Sequence, residues 1–431
     1  MMAEIIQYLL RFMIGEHLTD DISSYVGYSS DKSCYSNFKV VIVPCNFFDD
    51  GIYGTHHTEP SLPLEAIEGV PFLFGSPEVE RYKDTIVVHA DLVASAFFLI
   101  SRYEEMLHRD KRDEHGRFPG RESLPRRAGF IDRPIIEEYG RLLRKWLNDS
   151  GVKTEELIPF VRNINLTHDV DAPFFCRTWR NVARQVMSGK SPAAAIRDKN
   201  RSLEQDEYYT FPWMLEQDKK LQQEVGEERC RSFMFFKAGG NTKQDKPYYD
   251  LYGDDVGALF DLCRKYKATV GLHSSYQAGI NPSLILSEKK YLEEAFKAEI
   301  VHNRHHFLAS REPEDMEYLE KAGITDDYTL GYADIAGFRL GTSKPVRYIN
   351  PVNRKMSPSL LLHPLTIMDS TLDELKYMNL TADRAEEYCD RLINNIRNVN
   401  GELTLLWHNT SVIERKGYLR DLYAKLIKKL K

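Results

Sequence analysis

The chain has 431 residues, 42% of them hydrophobic and 28% charged, which is the composition of a globular protein. Its length exceeds the size at which a single hydrophobic core usually stops growing, so two domains are expected. Its formal net charge of −6 disfavours a nucleic acid as the main partner. Six cysteines lack any CxxC spacing, which predicts reduced thiols and excludes a disulfide framework or a cysteine-type zinc site. They are Cys34, Cys45, Cys176, Cys230, Cys263 and Cys389.

The first 18 residues predict an amphipathic helix that docks on a core. Their apolar residues follow a helical period, and Glu4, Gln7 and Arg11 interrupt the apolar run, which is not the pattern of a signal peptide. No stretch of the sequence approaches the 18 apolar residues of a membrane-spanning helix. These features predict a cytoplasmic protein without a membrane span.

Residues 1–155 predict a smaller α/β domain whose role the sequence does not indicate. The strand candidates are residues 40–43, 71–74 and 85–89, and the helix candidates are residues 91–108 and 134–148. The charged segment 110–127, which contains glycine and proline, predicts a loop between the two helices.

Residues 156–431 predict a second domain in which strands and helices alternate. The strand candidates are residues 159–166, 231–236, 268–272, 300–304, 336–340, 360–363 and 402–407. The helix candidates are residues 178–186, 212–224, 256–267, 287–297, 313–322 and 382–399. Alternation of this kind predicts parallel pairing, and seven strands favour a distorted (β/α)7-like barrel over an open sheet. The long insert 172–231 predicts a helical lid.

Ionisable residues recur where these apolar strands end. They are Asp169, Asp171, His273, Arg304, His305, His306, Arg339, Asp369 and His408. Because the carboxyl ends of parallel strands face one side of a sheet, we expect these side chains to converge there. One aspartate and two imidazoles are a familiar ligand set for a divalent metal ion that leaves positions open for substrate. A second carboxylate would then serve as base and a further histidine as acid, which describes metal-assisted hydrolysis of an amide or ester.

The order of these residues resembles that of the polysaccharide deacetylase family (NodB-homology domain, carbohydrate esterase family 4), over residues 160–410. The chain is similar to a divergent member with an additional N-terminal domain. The resemblance implies a barrel, a zinc ion (cobalt or nickel being possible) and removal of N- or O-acetyl groups from sugars. It implies Asp169 as base, Asp171 and His273 as metal ligands, Arg339 in contact with the base, Asp369 as a supporting acid, and His408 as the acid that serves the leaving group.

The second family motif, which begins at His273, is incomplete in this sequence. Gln277 occupies the position of the second ligand histidine, and a glutamine amide binds a metal only weakly. The next strand candidate ends in His305 and His306, so one of these imidazoles is expected to replace the missing ligand. Strand alternation places His306 on the same face as Arg304 and favours His306, although a bulge would reverse that choice.

Each of these residues also has a structural interpretation. Asp169 and Asp171 are turn-type or capping acids in that interpretation, and Asp369 caps the helix that follows it. His273 is then a hydrogen-bonded histidine, and Arg339 is an ordinary ion-pair residue. Two other functions therefore stay open beside the deacetylase: hydrolysis of a non-peptide C–N amide bond on the same fold, and glycan binding by a catalytically degenerate domain.

Overall fold

The computed structural model describes residues 2–15, 18, 21–156, 158–175, 177, 179–414 and 416–431. Cys176 and the predicted first residue of a helix, Thr178, lie outside the described residues, as do Met1, Glu16 and His17 of the predicted N-terminal helix. The five described cysteines carry free thiols. Among the described residues, no helix is both long enough and apolar enough to cross a bilayer.

The strands and helices are given in chain order. The strands are β1 Val26–Tyr28, β2 Val40–Ile42, β3 Ala66–Ile67, β4 Val70–Pro71, β5 Gly75–Tyr82, β6 Thr85–Ala90, β7 Asn163–Val170, β8 Cys230–Lys237, β9 Thr269–Ser274, β10 His302–His305, β11 Asp326–Asp327, β12 Val346–Asn350, β13 Lys355–Leu362, β14 Ile367–Met368 and β15 Glu402–Leu406. The helices are α1 Met2–Ile14, α2 Leu92–Ile100, α3 Tyr103–Leu107, α4 Leu124–Arg127, α5 Ile135–Asp149, α6 Trp179–Met187, α7 Pro192–Lys199, α8 Phe211–Val225, α9 Asp254–Tyr266, α10 Ile285–Phe296, α11 Glu317–Lys321, α12 Asp369–Asp373, α13 Ala382–Asn398 and α14 Leu419–Lys429.

The chain forms two compact units, each built from several segments. The first unit contains Met1–Arg162, Leu308–Thr366 and Tyr388–Leu403, and the second contains Asn163–Phe307, Ile367–Glu387 and Thr404–Lys431. The predicted domains, residues 1–155 and 156–431, stay a prediction, and these compact units are composed differently.

A four-stranded sheet organises the N-terminal part of the first unit. Its strand order is β1-β2-β6-β5, with β1, β2 and β6 parallel and β5 antiparallel to β6. Asp91 begins α2, because its carboxylate accepts a hydrogen bond from the backbone N–H of Ala94 at 2.9 Å. The predicted single helix over 91–108 is divided into α2 and α3, because Arg102 adopts a left-handed conformation with φ 61°.

A predicted strand at residues 336–340 is absent, because this segment bonds to irregular backbone. The N–H of Gly337 donates to the carbonyl of Thr366, and the N–H of Phe338 donates to the carbonyl of Ile131. A Cβ atom on Gly337 would lie 2.4 Å from the Ile131 carbonyl oxygen, so the close approach of the two backbones requires glycine.

The second unit contains the parallel strands that position the site. Strands β10, β9, β8 and β7 lie side by side in that order, and every neighbouring pair is parallel. Strand β15 follows β7, and β14 pairs with β15 in parallel register. Most residues of β7, β8 and β9 are buried, as expected for strands covered on both faces. The mixed α/β class and the large parallel sheet of the predicted barrel are confirmed, as is the smaller N-terminal α/β region.

Candidate metal centre and acid–base residues

Five strands of the second unit deliver side chains to one edge of the sheet. Asp169 lies near the end of β7, and Asp171 follows its last residue. His273 lies near the end of β9, and His306 follows β10 directly. Two further site residues, Asp369 and His408, follow β14 and β15. Each of these strands therefore ends in or is followed by an ionisable group, and the parallel pairing brings these ends together.

Asp171, His273 and His306 form a cluster with the dimensions of a cation site. Asp171 Oδ1 lies 3.0 Å from His273 Nε2 and 3.4 Å from His306 Nε2. One possible ligand atom from each residue lies within 4.8 Å of the other two. The edge of a tetrahedron around a zinc ion with ligand bonds of about 2.1 Å is about 3.4 Å long. The two distances from Asp171 thus agree with ligands around one small divalent ion, and the third pair of ligand atoms lies within 4.8 Å.

Two of these atoms are buried without a hydrogen bond. Asp171 Oδ1 and His273 Nε2 have no hydrogen-bond partner among the described residues, even though they lie 3.0 Å apart. The Nδ1–H of His273 donates to the carbonyl of Arg304 at 2.9 Å, so its Nε2 carries the free lone pair. With its Nδ1–H engaged, His273 can present Nε2 as a ligand atom, and that nitrogen and the carboxylate oxygen face each other as two ligands of one cation would.

Charge favours the ionised form of Asp171. Burial raises its pKa, but the neighbouring imidazoles of His306, His273 and His408 outweigh that effect and hold the pKa well below its usual value. Burial in turn lowers the pKa of His306, against the effect of Asp171. The surroundings thus favour the ionised form of Asp171, and burial opposes a proton on His306, which is the protonation pattern of metal ligands.

Asp245 supports His306 from the loop after β8. Its Oδ1 lies 3.4 Å from His306 Nδ1 and accepts a hydrogen bond from the N–H of Tyr276 at 2.7 Å. The hydroxyl of Thr242 donates to its other oxygen at 2.7 Å, and Lys237 Nζ donates to its backbone carbonyl at 2.9 Å. The carboxylate is fully buried and held from three sides, so it can fix the orientation of the His306 ring.

The structure distinguishes His306 from its neighbour and from Gln277. His305 Nδ1 lies 3.1 Å from Asn303 Nδ2, whereas His306 Nε2 faces Asp171. The Gln277 side-chain oxygen accepts a hydrogen bond from the backbone N–H of Asn241 at 3.0 Å. Strand β10 ends at His305, and Phe307 adopts a left-handed φ of 59°, so the turn after the strand determines where His306 points.

Asp169 is held by an arginine that the sequence did not assign to it. Arg304 Nη1 donates to Asp169 Oδ1 at 3.0 Å and to the hydroxyl of Thr167 at 2.7 Å. Asp169 Oδ2 lies 3.6 Å from His273 Nε2, so the carboxylate borders the metal cluster. Asp169, His273 and Arg304 are all almost completely buried, which gives the guanidinium–carboxylate pair a defined geometry.

The prediction that Arg339 contacts the base is wrong. In the first unit, Arg339 Nε and Nη2 donate to the two carboxylate oxygens of Glu105 at 2.9 and 2.8 Å. Arg102 donates to the same carboxylate. These two cations outweigh burial and lower the pKa of Glu105 to about 2. Arg339 thus has the ion-pair role of the structural interpretation, because its carboxylate partner comes from α3.

His408 and Asp369 form a buried pair on the other side of Asp171. His408 Nδ1–H donates to Asp369 Oδ1 at 2.7 Å, and the His408 backbone N–H donates to Asp369 Oδ2 at 2.7 Å. His408 Nε2 lies 3.6 Å from Asp171 Oδ2. Burial lowers the pKa of His408, but the charge and hydrogen bond of Asp369 raise it to about 10. Asp369 therefore serves His408 rather than capping a helix only, and the raised pKa keeps His408 protonated at neutral pH.

Arg304 and Asp245 are the site residues whose roles the sequence analysis missed. Arg304 and His306 alternate along the predicted strand and therefore share one of its faces. This shared face could have identified Arg304 as the partner of a carboxylate at the end of a neighbouring strand. Asp245 gave no such signal, because it lies in the long connection between β8 and α9, remote from any strand end.

Comparisons with known proteins cover both parts of the chain. Residues 2–151 match the model of a family of unknown function (DUF7033). The sequence matches no curated protein. A protein from Mycobacterium smegmatis described as a polysaccharide deacetylase is 15% identical, with a TM-score of 0.39, and the match covers 63% of this chain and 86% of that protein.

Two further solved structures are similar at the same level. The Puue allantoinase is 13% identical with a TM-score of 0.36, over 62% of this chain and 84% of that protein. A second protein described as a polysaccharide deacetylase, from Pseudomonas aeruginosa PAO1, is 11% identical with a TM-score of 0.36, over 62% and 85%.

Proposed function

We propose that this chain is a metal-dependent hydrolase that removes an N- or O-acetyl group from a carbohydrate. The observation that carries the proposal is the meeting of Asp171 Oδ1 and His273 Nε2, both buried without a hydrogen bond, with His306 Nε2 3.4 Å from the same oxygen. An arginine-bound aspartate and a protonated histidine flank this cluster. The sugar specificity rests on the resemblance of the motifs.

Asp171, His273 and His306 would hold the ion, proposed to be zinc, with cobalt or nickel as alternatives. When bound, a divalent cation polarises an acyl carbonyl and makes a neighbouring water more acidic. The chain supplies one carboxylate and two imidazoles, which leaves positions for the substrate and the water. The fit rests on the free lone pair of His273 and on the support of His306 by Asp245.

Asp169 is suited to be the general base. Arg304 binds one of its oxygens at 3.0 Å, which orients the carboxylate and leaves its second oxygen, Oδ2, close to the cluster. That oxygen can take a proton from the attacking water as the nucleophile adds to the acyl carbon. The guanidinium also balances the negative charge of the carboxylate in a buried environment.

His408 is suited to be the general acid. Asp369 fixes its Nδ1–H, so the second ring nitrogen, Nε2, faces Asp171 and the cluster. The raised pKa of His408, about 10, means that Nε2 carries a proton that it can transfer to the leaving amine or alcohol.

Acetate release tests the proposal directly. Metal-stripped protein, reloaded with zinc, cobalt or nickel, is expected to release acetate from short N-acetylated oligosaccharides or from nucleotide- or lipid-linked acetylated sugars. This choice of substrates follows the proposed cytoplasmic location. Asp169→Asn is expected to lose at least a hundredfold in rate while still binding metal, because a general base contributes about that factor or more.

Two outcomes would contradict the deacetylase. Ammonia or carbamoyl release from non-peptide amides, without acetate release from any sugar, would establish the alternative hydrolase. If the protein binds none of the three metals and none of them activates it, while it still binds glycan, the chain would be a catalytically degenerate binding domain. Asp171→Asn serves as the matched control, because it removes the proposed ligand while preserving the size of the side chain.

A further inference from the structure

The insert between β7 and α8 contains an exposed basic and apolar hairpin, formed by α6 and α7. These helices pack against each other in the second unit. Residues 177–201 contain seven arginines and lysines and one acid, a net charge of +6 in a chain whose total is −6. The hairpin therefore differs sharply in charge from the rest of the protein.

The exposed face of α6 is apolar along its centre and basic along its edge. Trp179, Ala183 and Met187 recur every four residues and so share one side of the helix. All three are exposed, with Trp179 at 64% and Met187 at 83% relative accessibility. Arg180 and Arg184, also four residues apart, lie beside them and are exposed. Large exposed apolar side chains grouped in this way indicate an interaction surface.

Some of the charges are already paired, and others are not. Arg177 lies 3.4 Å from Asp255, and Asp198 pairs with Lys190 and Arg201. The other basic residues are Arg180, Arg184, Arg197 and Lys199. In the described part of the chain these four have no carboxylate within ion-pair distance, and Lys199 lies over the Trp179 ring at 4.7 Å. Several cations are thus available to an external anionic partner.

We propose that the α6–α7 hairpin docks on an anionic lipid membrane. Arginine beside an exposed stripe of tryptophan and methionine is the pattern of a helix that lies in the membrane interface. The positive charge complements anionic lipid headgroups, which attract basic segments close to the surface. In the described residues no helix can span a bilayer, so the association is peripheral. This inference goes beyond the proposed hydrolysis and does not depend on it.

The ends of the insert connect the hairpin to the candidate site. Asn409, next to His408, donates from Nδ2 to the carbonyls of Ala172 at 3.0 Å and Tyr208 at 2.8 Å. One side chain therefore holds both ends of the insert beside the proposed acid.

Vesicle co-sedimentation of the full chain tests the proposal. In 0.1 M NaCl we expect binding to vesicles of equal phosphatidylglycerol and phosphatidylcholine, and little binding to pure phosphatidylcholine. The triple variant Arg180→Gln, Arg184→Gln and Arg197→Gln is expected to lower partitioning roughly a hundredfold, since each basic residue contributes about a factor of five. The matched control changes three exposed lysines of the same unit, Lys220→Gln, Lys265→Gln and Lys290→Gln, and should leave partitioning nearly unchanged.

Tryptophan fluorescence provides a second readout of the docking face. Trp146 and Trp407 are buried, whereas Trp179 is the most exposed of the described tryptophans. Anionic vesicles should shift the emission to shorter wavelength in the wild type and not in Trp179→Phe. Absence of binding to anionic vesicles, or equal losses in the arginine and lysine variants, would overturn the proposal. Self-association that the hairpin variants abolish, without vesicle binding, would overturn it in favour of a contact between copies of the chain.

Discussion

Replacing His306 by alanine separates the proposed metal site from a merely structural cluster. His306 contributes one of three ligand atoms, and its Nε2 lies 3.4 Å from Asp171 Oδ1. Structural zinc sites with four protein ligands bind with about 10–16 kcal/mol, or about 3 kcal/mol for each ligand. His306→Ala is therefore expected to weaken zinc binding about a hundredfold or more. His305→Ala is the matched control, because the neighbouring imidazole is equally buried but lies beside Asn303.

Competition with a chromogenic chelator at pH 7 measures both affinities on metal-stripped protein. The thermal stability should follow the affinity, because a ligand that binds only the folded state stabilises it in proportion to the logarithm of one plus the ratio of free ligand to Kd. With zinc at a thousand times its wild-type Kd, the zinc-dependent stabilisation is about 4 kcal/mol, and it falls to about 1 kcal/mol for His306→Ala. Equal weakening by both substitutions, or wild-type affinity in His306→Ala, would refute the ligand assignment.

Three further predictions follow from the ion pairs. Asp245→Asn should weaken zinc binding about 10–100-fold, measured by the same competition assay, because the carboxylate that orients a ligand histidine is lost. Arg339→Met should destabilise the fold by about 3 kcal/mol in urea unfolding while metal affinity is retained, since Glu105 stays buried with less compensating charge. A retained stability, or a lost metal affinity, would contradict the ion-pair role of Arg339. Burial lowers the pKa of His363, but the adjacent Glu402 outweighs it and raises the pKa to about 9. Its contribution, about 3 kcal/mol, is fully present below about pH 6.5 and disappears as the pH rises through 9, so His363→Gln should flatten the stability profile between pH 6.5 and 10.

The sequence alone determined the class of the second unit and most of the strand ends. Alternation of apolar strands and helical stretches is a local property, so β7, β8, β9, β10 and β15 were found within a few residues of their observed bounds. Asp169, Asp171, His273 and His408 were found for the same reason, because each follows or ends an apolar run. The parallel order of the strands then made their convergence a consequence of geometry.

Only the tertiary structure decided which charged groups meet. Arg304 and Arg339 both end or interrupt apolar segments in the sequence, and the elements packed against them determine their partners. Arg304 pairs with Asp169, and Arg339 pairs with Glu105. Asp245 joins the site because a loop folds back onto His306, a contact 61 residues apart that no local pattern records. Strand and helix periodicity arises from neighbouring residues, so the sequence alone specified the strands and helices. Ion pairs of this kind depend on the path of the whole chain, so only the fold determined them.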